Sequence, residues 1–196
     1  MVSDDALISS FLTGDVGAFE ELVDKYHKPV FRMVMGLVGN ESDAEELTQD
    51  IFVKIFFRLG GFKREAAFST WLYTIVQNSV KTFRTKKRLS TVFSLDWMTD
   101  HDRFEIPDFS RSTHEKLEGK EMLEILNRAL QKLSFKLRQI LILKEVNELS
   151  YEEMAQILDC SIGTVKSRLS RAKEKLREIF PSLLEKESHE KDLIRA

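Results

Sequence analysis

The spacing of apolar and polar residues predicts helices along most of the chain. Apolar side chains recur every three or four positions in long stretches rich in Leu, Glu, Lys and Arg, as in helices that bury one face. Three Ser-x-x-Glu sequences, beginning at Ser42, Ser112 and Ser150, have the spacing of a capping box and mark helix starts. The predicted helices cover residues 4–13, 16–39 with a break at Pro29, 43–59, 69–88, 113–131, 134–147, 151–158 and 162–180.

Composition favours an all-α globular fold over a sheet-rich one. Of the 196 residues, 42% are hydrophobic and 32% are charged, and only 3 prolines and 8 glycines interrupt the chain. No apolar run approaches the roughly 20 residues that a membrane-spanning helix needs, and the N-terminus lacks the basic start of a secretion signal. We therefore expect a cytoplasmic protein without stable membrane insertion.

Charge is distributed unevenly, and this divides the chain. Residues 1–88 carry 12 basic and 12 acidic side chains, residues 89–115 carry 2 and 6, residues 116–180 carry 13 and 10, and residues 181–196 carry 3 and 4. Much of 89–115 is rich in Ser, Thr and Asp, with Pro107, and shows no sustained helical period. The sequence thus predicts two small helical domains, 1–88 and 116–180, joined by a flexible acidic linker over 89–115 and followed by a tail at 181–196.

The C-terminal domain carries the pattern of a helix-turn-helix. A short helix over 151–158, a tight turn at 159–161 and a longer basic helix follow one another. An apolar line on the longer helix is flanked by polar and basic residues, which suits base edges and phosphates of duplex DNA, although a solvated basic face is the alternative. The side chains that we assign to DNA are Thr164, Lys166, Ser167, Ser170, Arg171 and Lys173.

A second candidate DNA surface lies on the predicted helix 69–88 and the loop before it. Polar residues alternate at spacings of 4 and 3 along one face, namely Thr70, Thr74, Gln77, Lys81, Arg84 and Arg88. The preceding loop combines Phe62 and Phe68 with two cations, and rings with cations suit unstacked bases better than an intact duplex. The alternative is that Phe62, Phe68 and Trp71 are simply core residues.

A third surface is acidic and then apolar. Asp43, Glu46 and Asp50 share one face of the helix 43–59, and Val53 and Phe57 continue the line, as expected of a surface that docks another protein. A solvated acidic first turn favoured by the helix dipole is the alternative. We expect no catalytic residues, metal or cofactor, because the histidines are scattered and the chain has no nucleophile motif or phosphate-binding loop.

The only cysteine, Cys160, falls in the turn of the helix-turn-helix. It cannot form an internal disulfide, which agrees with a reducing compartment. A redox switch normally needs an exposed thiol and often a resolving partner, so we expect Cys160 to pack beneath the two helices instead.

Together these motifs resemble bacterial sigma factors of the extracytoplasmic-function class. The segments Phe19-Glu-Glu-Leu-Val, Asp43-Ala-Glu-Glu-Leu-Thr-Gln-Asp and Phe68-Ser-Thr-Trp-Leu-Tyr, with Asn78, resemble their region 2. The segments Leu130-x-x-Leu, Leu149-Ser-Tyr-Glu-Glu and Gly163-Thr-Val-Lys-Ser-Arg-Leu resemble their region 4. The resemblance covers about residues 5–180, in the order and spacing of the family.

The resemblance implies an initiation factor without enzymatic activity that binds RNA polymerase core, at the β′ clamp helices and the β flap, and reads the −10 and −35 promoter elements. Its implied polymerase contacts are Asp43, Glu46, Gln49, Asp50 and Val53. Its implied −10 contacts are Phe62, Lys63, Phe68, Ser69, Asn78, Lys81 and Arg84. The linker 89–115 would thread towards the active-site and RNA-exit channels, and an anti-sigma factor is an expected partner.

The main alternative is a helix-turn-helix regulator that binds palindromic duplex sites as a dimer without polymerase. Residues 43–88 argue against it, because a sensor or dimerisation domain has no need of a docking surface followed by a base-stacking loop. Asp159 departs from the glycine often found in such turns, so we expect Asp159 to adopt a left-handed backbone conformation.

Overall fold

The computed structural model describes the backbone of residues 2–93 and 113–195 and the side chains of residues 2–89 and 122–184. Within these ranges all regular elements are helical, which confirms the all-α prediction. In chain order they are α1 Asp4–Leu12, α2 Val16–Val38, α3 Glu41–Arg58, a 3₁₀ turn Leu59–Gly61, α4 Phe68–Phe93, α5 Thr113–Lys132, α6 Phe135–Leu141, a π turn Ile142–Val146, α7 Tyr151–Leu158 and α8 Ile162–Arg195.

Side-chain caps explain where two of these helices begin. The predicted capping box at Ser150 is confirmed, since its hydroxyl accepts from the Glu153 amide and the Glu153 carboxylate accepts from the Ser150 amide. The predicted start at Ser42 is wrong: Asn40 caps α3 instead, and its side-chain oxygen accepts from the Asp43 amide at 2.9 Å. Ser112 lies outside the described residues.

The predicted break at Pro29 does not occur, and α2 runs continuously through it. Buried side chains lie on both sides of the proline, with Leu22 and Tyr26 before it and Val30 and Met33 after it. Packing of this apolar face holds the helix together although Pro29 cannot donate its own backbone hydrogen bond.

Two helices extend well beyond the ranges that the sequence patterns predicted for them. Helix α8 continues through Pro181 to Arg195 because Leu183 packs against Ile125 and Ala129 of α5. Helix α4 runs to Phe93, past its predicted end at residue 88 and into the predicted linker 89–115. Helix α5 begins at Thr113, as predicted. Residues 94–112 lie outside the described residues.

The N-terminal half of the chain, α1 to α4, packs directly on the C-terminal half, α5 to α8. Helix α2 contacts α5, α6 and the π turn, and α4 contacts α7. Buried apolar residues of both halves therefore form one continuous cluster, in which Leu37 of α2 and Ile140 of α6 are completely buried. Among the described ranges, no helix has the length and apolar character needed to cross a membrane.

Candidate nucleic-acid and protein interfaces

The helix-turn-helix is formed as the sequence predicts. Asp159 ends α7 with φ 48° and ψ 60°, which confirms the expected left-handed conformation. The Cys160 amide then donates to the Ala155 carbonyl at 3.0 Å and closes the turn. In α8, Val165, Leu169 and Ala172 are buried against the core, so the opposite side of this helix faces outward.

The outward side of α8 presents the side chains that were predicted to contact DNA. Lys166, Ser167, Ser170, Arg171 and Lys173 are exposed, and Thr164 is half-buried. The hydroxyls of Thr164 and Ser161 lie 2.9 Å apart, and the Thr164 amide donates to the Ser161 hydroxyl, so Thr164 belongs to the start of the helix. Lys173 forms an ion pair of 2.8 Å with Glu145.

Cys160 occupies a supporting position beneath this surface. Its side chain is half-buried and packs against the core, and the Arg168 guanidinium lies 3.9 Å from its sulfur. Arg168 therefore leans back onto the turn, while Arg171 remains exposed one turn later. These contacts agree with the structural role expected for the cysteine.

Three aromatic rings form the base of the loop before α4. Phe62, Phe68 and Trp71 contact one another with centroids 5.3–5.8 Å apart. Phe68 is only 4% exposed and also packs edge-on against Tyr26, whereas Phe62 and Trp71 are half-buried. The predicted DNA contact of Phe68 is therefore blocked in this structure, because burial makes Phe68 a support for the other two rings.

An open pocket of about 440 Å³ lies against two of these rings, Phe62 and Trp71. Its walls include Phe62, Lys63, Arg64, Trp71, Thr74 and, from α7, Gln156. An aromatic wall next to cations and a hydroxyl is suited to stacking a nucleobase and holding its phosphate. No sequence pattern pointed to Gln156, which reaches the pocket only because α7 packs on α4.

The loop around the pocket is tied to α1. Arg64 adopts a positive φ of 59°, and its guanidinium donates to the Ser9 hydroxyl at 2.7 Å. It also lies 3.9 Å from the Asp5 carboxylate. These links fix one side of the loop, and local sequence pattern did not predict them because α1 is far away along the chain.

The polar stripe of α4 is only partly exposed. Asn78 and Lys81 are exposed and Ser69 is half-buried, but Gln77 is completely buried and accepts a hydrogen bond from Gln139 of α6. Half-buried Arg84 lies 3.8 Å from the centroid of the Phe135 ring. Burial and, to a smaller extent, the charge of Arg88 lower the pKa of Arg84 below its usual value. The C-terminal half thus covers part of a face that the sequence placed against DNA.

The acidic and apolar surface of α3 is exposed as predicted. Glu46, Gln49 and Asp50 face solvent, Val53 is 56% exposed and Phe57 is 79% exposed. An apolar ring left so far outside the core marks a surface that suits a protein partner. The exception is Asp43, which is half-buried and forms an ion pair of 2.6 Å with Lys87 of α4.

A buried arginine that sequence reasoning missed joins the two halves. Arg138 of α6 donates to the carbonyl oxygens of Leu37 in α2 and of Leu130, Gln131 and Leu133 at the end of α5. Such carbonyls lack partners within their own helices, and a cation is favoured at that end of the helix dipole. Burial, and secondarily the charge of Arg84, lowers the pKa of Arg138 to about 10.

The described residues hold no grouping of three His, Cys, Asp or Glu side chains that could bind a metal ion. His27 packs beside the rings of Phe31 and Phe52 at centroid distances of 6.5 and 6.0 Å. His101, His114 and His189 lie outside the residues whose side chains are described.

Comparison with known proteins matches both halves of the chain. Residues 22–89 match the family described as Sigma-70 region 2, and residues 123–176 match Sigma-70, region 4. RNA polymerase sigma-H factor of Pseudomonas aeruginosa is 31% identical over 185 residues, which cover 92% of this chain and 95% of that protein. ECF RNA polymerase sigma-E factor of Escherichia coli K12 is 33% identical over 177 residues, covering 88% and 92%.

Solved structures give the same picture. The sigma factor RpoE from Bartonella quintana, in complex with the anti-sigma factor NepR, is 25% identical with a TM-score of 0.68, covering 82% of this chain and 95% of that one. CnrH, in complex with the cytosolic domain of CnrY, is 22% identical with a TM-score of 0.66, covering 91% and 97%, and shares the fold.

Proposed function

Because this chain belongs to the extracytoplasmic-function group of the sigma-70 family, we propose that three of its surfaces bring RNA polymerase core to promoters. It is a sigma factor that directs transcription initiation and not an enzyme. The observation that supports three separate roles is the presence, in one chain, of an exposed basic helix α8 and an open aromatic pocket. A dimeric regulator that acts without polymerase does not account for the match of residues 22–89.

We assign the docking of polymerase core to helix α3. Glu46, Gln49, Asp50 and Val53 would lie on the β′ clamp helices, and exposed Phe57 would add apolar contact next to them. An acidic surface favours a basic partner and speeds its encounter, while the exposed apolar side chains would supply affinity once the partner buries them. Asp43 would serve mainly to hold α3 on α4 through Lys87. The C-terminal half would dock separately on the β flap.

The pocket beside the loop 62–67 would take an unpaired base of the −10 element. Phe62 and Trp71 offer ring faces for stacking, and Lys63 lies at the rim, where a phosphate would be held. Beyond the pocket, the DNA strand would run along α4 and contact Asn78, Lys81 and Arg84. Ser69, at the start of α4, would contact the same strand. Phe68 supports this site from beneath rather than touching DNA.

Helix α8 would enter the major groove of the −35 element. Ser167, Ser170 and Arg171 lie on its exposed side in position for base edges, and Lys166 and Lys173 flank them in position for phosphates. Thr164 sits at the N-terminus of the helix, where backbone amides also favour a phosphate. Lys173 would exchange its ion pair with Glu145 for a DNA phosphate.

We propose that the chain consists of two domains, 1–88 and 116–180, followed by a tail at 181–196. The linker 89–115 would lead towards the active-site and RNA-exit channels of polymerase. The matched segments 22–89 and 123–176 fall in different proposed domains, apart from residue 89. An anti-sigma factor is the expected inhibitor, since the relative RpoE is found in complex with one. The sigma factor itself would act in the cytoplasm, where polymerase and promoters are.

Run-off transcription tests this proposal. Core polymerase is incubated with genomic promoter fragments, with and without the purified chain, and discrete transcripts should form only when the chain is present. The control is the Glu46→Lys/Asp50→Lys variant, which should fold normally and yield few transcripts. Equal transcripts with and without the chain would overturn the proposal.

A further inference from the structure

Helix α1 lies outside the segment that matches Sigma-70 region 2, yet it contacts the chain around the open pocket. The match begins at residue 22, whereas α1 covers Asp4–Leu12. Leu12 lies over the 3₁₀ turn before the pocket, since a Cβ atom added at Gly60 would lie 3.8 Å from Cδ2 of Leu12. This turn ends at Phe62, whose ring lines the pocket. Helix α1 therefore packs at the point where the chain enters the pocket wall.

A second contact joins α1 to the loop of the pocket. Arg64, in the pocket wall, donates to the Ser9 hydroxyl at 2.7 Å, and this hydroxyl donates to the Asp5 carbonyl at 2.8 Å. The Ser9 hydrogen is thus engaged within α1, and the oxygen accepts from the guanidinium. The Arg64 backbone has a φ of 59°, which is uncommon for residues other than glycine and costs free energy. The hydrogen bond to Ser9 offsets part of that cost and holds the loop in place.

A third contact supports the rings of the pocket from beneath. The hydroxyl of buried Tyr26 donates to the Asp4 carboxylate, in the first turn of α1, at 2.6 Å. The Tyr26 ring packs edge-on against Phe68, with centroids 5.3 Å apart. Phe68 in turn contacts Phe62 and Trp71, the two rings that line the pocket. The Asp4 carboxylate therefore fixes one end of a row of packed rings, and the other end forms the pocket wall.

We propose that α1 positions the base-binding pocket, with Ser9 and Asp4 as positioning residues that act through Arg64 and Tyr26. This inference rests on the proposed function, because it concerns the pocket assigned to an unpaired −10 base. Among the described residues, neither Ser9 nor Asp4 lines the pocket, so their contribution is to its shape. A pocket wall that is already held in place loses less conformational freedom when a base stacks on it, and affinity is correspondingly higher.

Removal of the Ser9 hydroxyl tests the contact with the loop. A fluorescein-labelled −10 single strand, from a promoter found by run-off transcription, is titrated with core polymerase saturated with each variant. Ser9→Ala should lower the affinity about threefold or more, whereas Ser9→Thr retains a hydroxyl and should bind like the wild type. Ser9 is exposed, so both variants should keep the wild-type melting temperature and affinity for core polymerase. Equal affinities of Ser9→Ala and Ser9→Thr for the strand would overturn the proposal.

A double-mutant cycle shows whether Ser9 acts through Arg64. Arg64→Gly removes the guanidinium, and glycine adopts a positive φ without the strain of a side chain. In the Arg64→Gly background, Ser9→Ala should therefore change the affinity for the −10 strand by less than about 1.5-fold, because its partner is already absent. The same loss from Ser9→Ala in both backgrounds would show that Ser9 does not act through Arg64 and would contradict the proposal.

The fluorescence of Trp71 tests the support of the rings without DNA. The chain has two tryptophans, so Trp97→Phe leaves Trp71 as the only one. In that background, Asp4→Ala removes the acceptor of the Tyr26 hydroxyl and should raise the acrylamide quenching constant of Trp71 about 1.5-fold or more, because the rings are held less firmly. Asp4→Asn also loses the charge that pairs with Lys25 but keeps an acceptor for Tyr26, so it is the matched control. Equal quenching in Asp4→Ala and Asp4→Asn would overturn the role of α1 beneath the rings.

The two measurements separate this inference from the proposed function. Normal affinity of all the α1 variants for the −10 strand would overturn the positioning role and leave the base-binding function of the pocket intact. Failure of the wild-type complex to bind the strand would instead overturn that function, and the quenching of Trp71 would still decide whether α1 holds the pocket.

Discussion

Arg138 of α6 donates a hydrogen bond of 2.8 Å to the carbonyl oxygen of Leu37, in the last turn of α2. The same guanidinium serves the end of α5, so one buried side chain satisfies carbonyl groups of both halves. No carboxylate of the described residues takes part in these bonds. The positive charge is instead placed where two helix C-termini concentrate negative potential.

Removal of the Arg138 guanidinium should therefore destabilise the folded chain. We expect Arg138→Ala to lower the free energy of unfolding by about 2–4 kcal/mol, because buried carbonyl groups lose their donors. Arg177→Ala is the matched control, since Arg177 is exposed on α8, and should change stability by less than about 0.5 kcal/mol. Urea unfolding of both variants measures this, and equal midpoints would show that the buried network contributes nothing.

Reversal of charge on α3 should weaken docking without unfolding the protein. Glu46→Lys/Asp50→Lys places two cations on exposed positions that were proposed to meet a basic partner. We expect the affinity for core polymerase to fall about tenfold or more, with the helical circular dichroism signal unchanged. Glu20→Lys/Glu21→Lys carries the same charge change on exposed positions of α2 and should bind normally. If the α3 variant competes for core polymerase as well as the wild type does, the acidic residues are only a solvated helix turn and not a docking surface.

Loss of a ring at the pocket should affect single-stranded DNA selectively. Phe62→Ala removes one stacking face and should weaken binding of polymerase with this factor to a single-stranded −10 oligonucleotide by about 1–3 kcal/mol. Phe57→Ala also removes an exposed ring, but one that lies on the α3 surface, so it should reduce core affinity instead. To distinguish the two effects, core polymerase is first saturated with each variant. The complex is then titrated into the labelled oligonucleotide, and fluorescence anisotropy measures its DNA affinity. The pocket assignment fails if both variants bind the oligonucleotide like the wild type.

Two neighbouring cations on α8 should behave differently on duplex DNA. Arg171→Ala should lower discrimination between matched and mutated −35 duplexes by roughly 1–3 kcal/mol, because the proposed bidentate base contact would be lost. Lys173→Ala should weaken all duplexes alike and reduce the slope of log affinity against log salt by about 0.9. Holoenzyme binding at several salt concentrations checks both, and a loss that is uniform across sequences for Arg171→Ala would reassign that residue to a phosphate.

Local sequence pattern predicted those parts of the structure that depend on near neighbours. The capping box at Ser150, the left-handed Asp159 and the buried line through Val165 and Leu169 all arise within a few residues of one another. The exposure of Glu46 also followed from helical spacing. Backbone geometry and one buried face per helix were sufficient for these predictions.

Features that depend on contact between the halves were not predictable in this way. Gln77 and Phe68 are buried although their spacing and chemistry placed them at a DNA surface, because distant helices cover them. Helix α2 passes through Pro29, and α8 passes through Pro181, since packing on other elements outweighs one lost hydrogen bond. The spacing of residues within one helix does not indicate which distant helix will pack on each of its faces.

We propose that one chain reads duplex DNA with α8 and unpaired DNA with the α4 pocket when it is joined to core polymerase. Footprinting of the complete holoenzyme on a promoter fragment chosen by run-off transcription tests it most directly, with DNase I for duplex contact and permanganate for unpaired thymines. We expect protection at the −35 element together with permanganate-reactive thymines at the −10 element, both dependent on core and on this chain. Protection by the chain alone, or protection at −35 without unpaired thymines at −10, would contradict it.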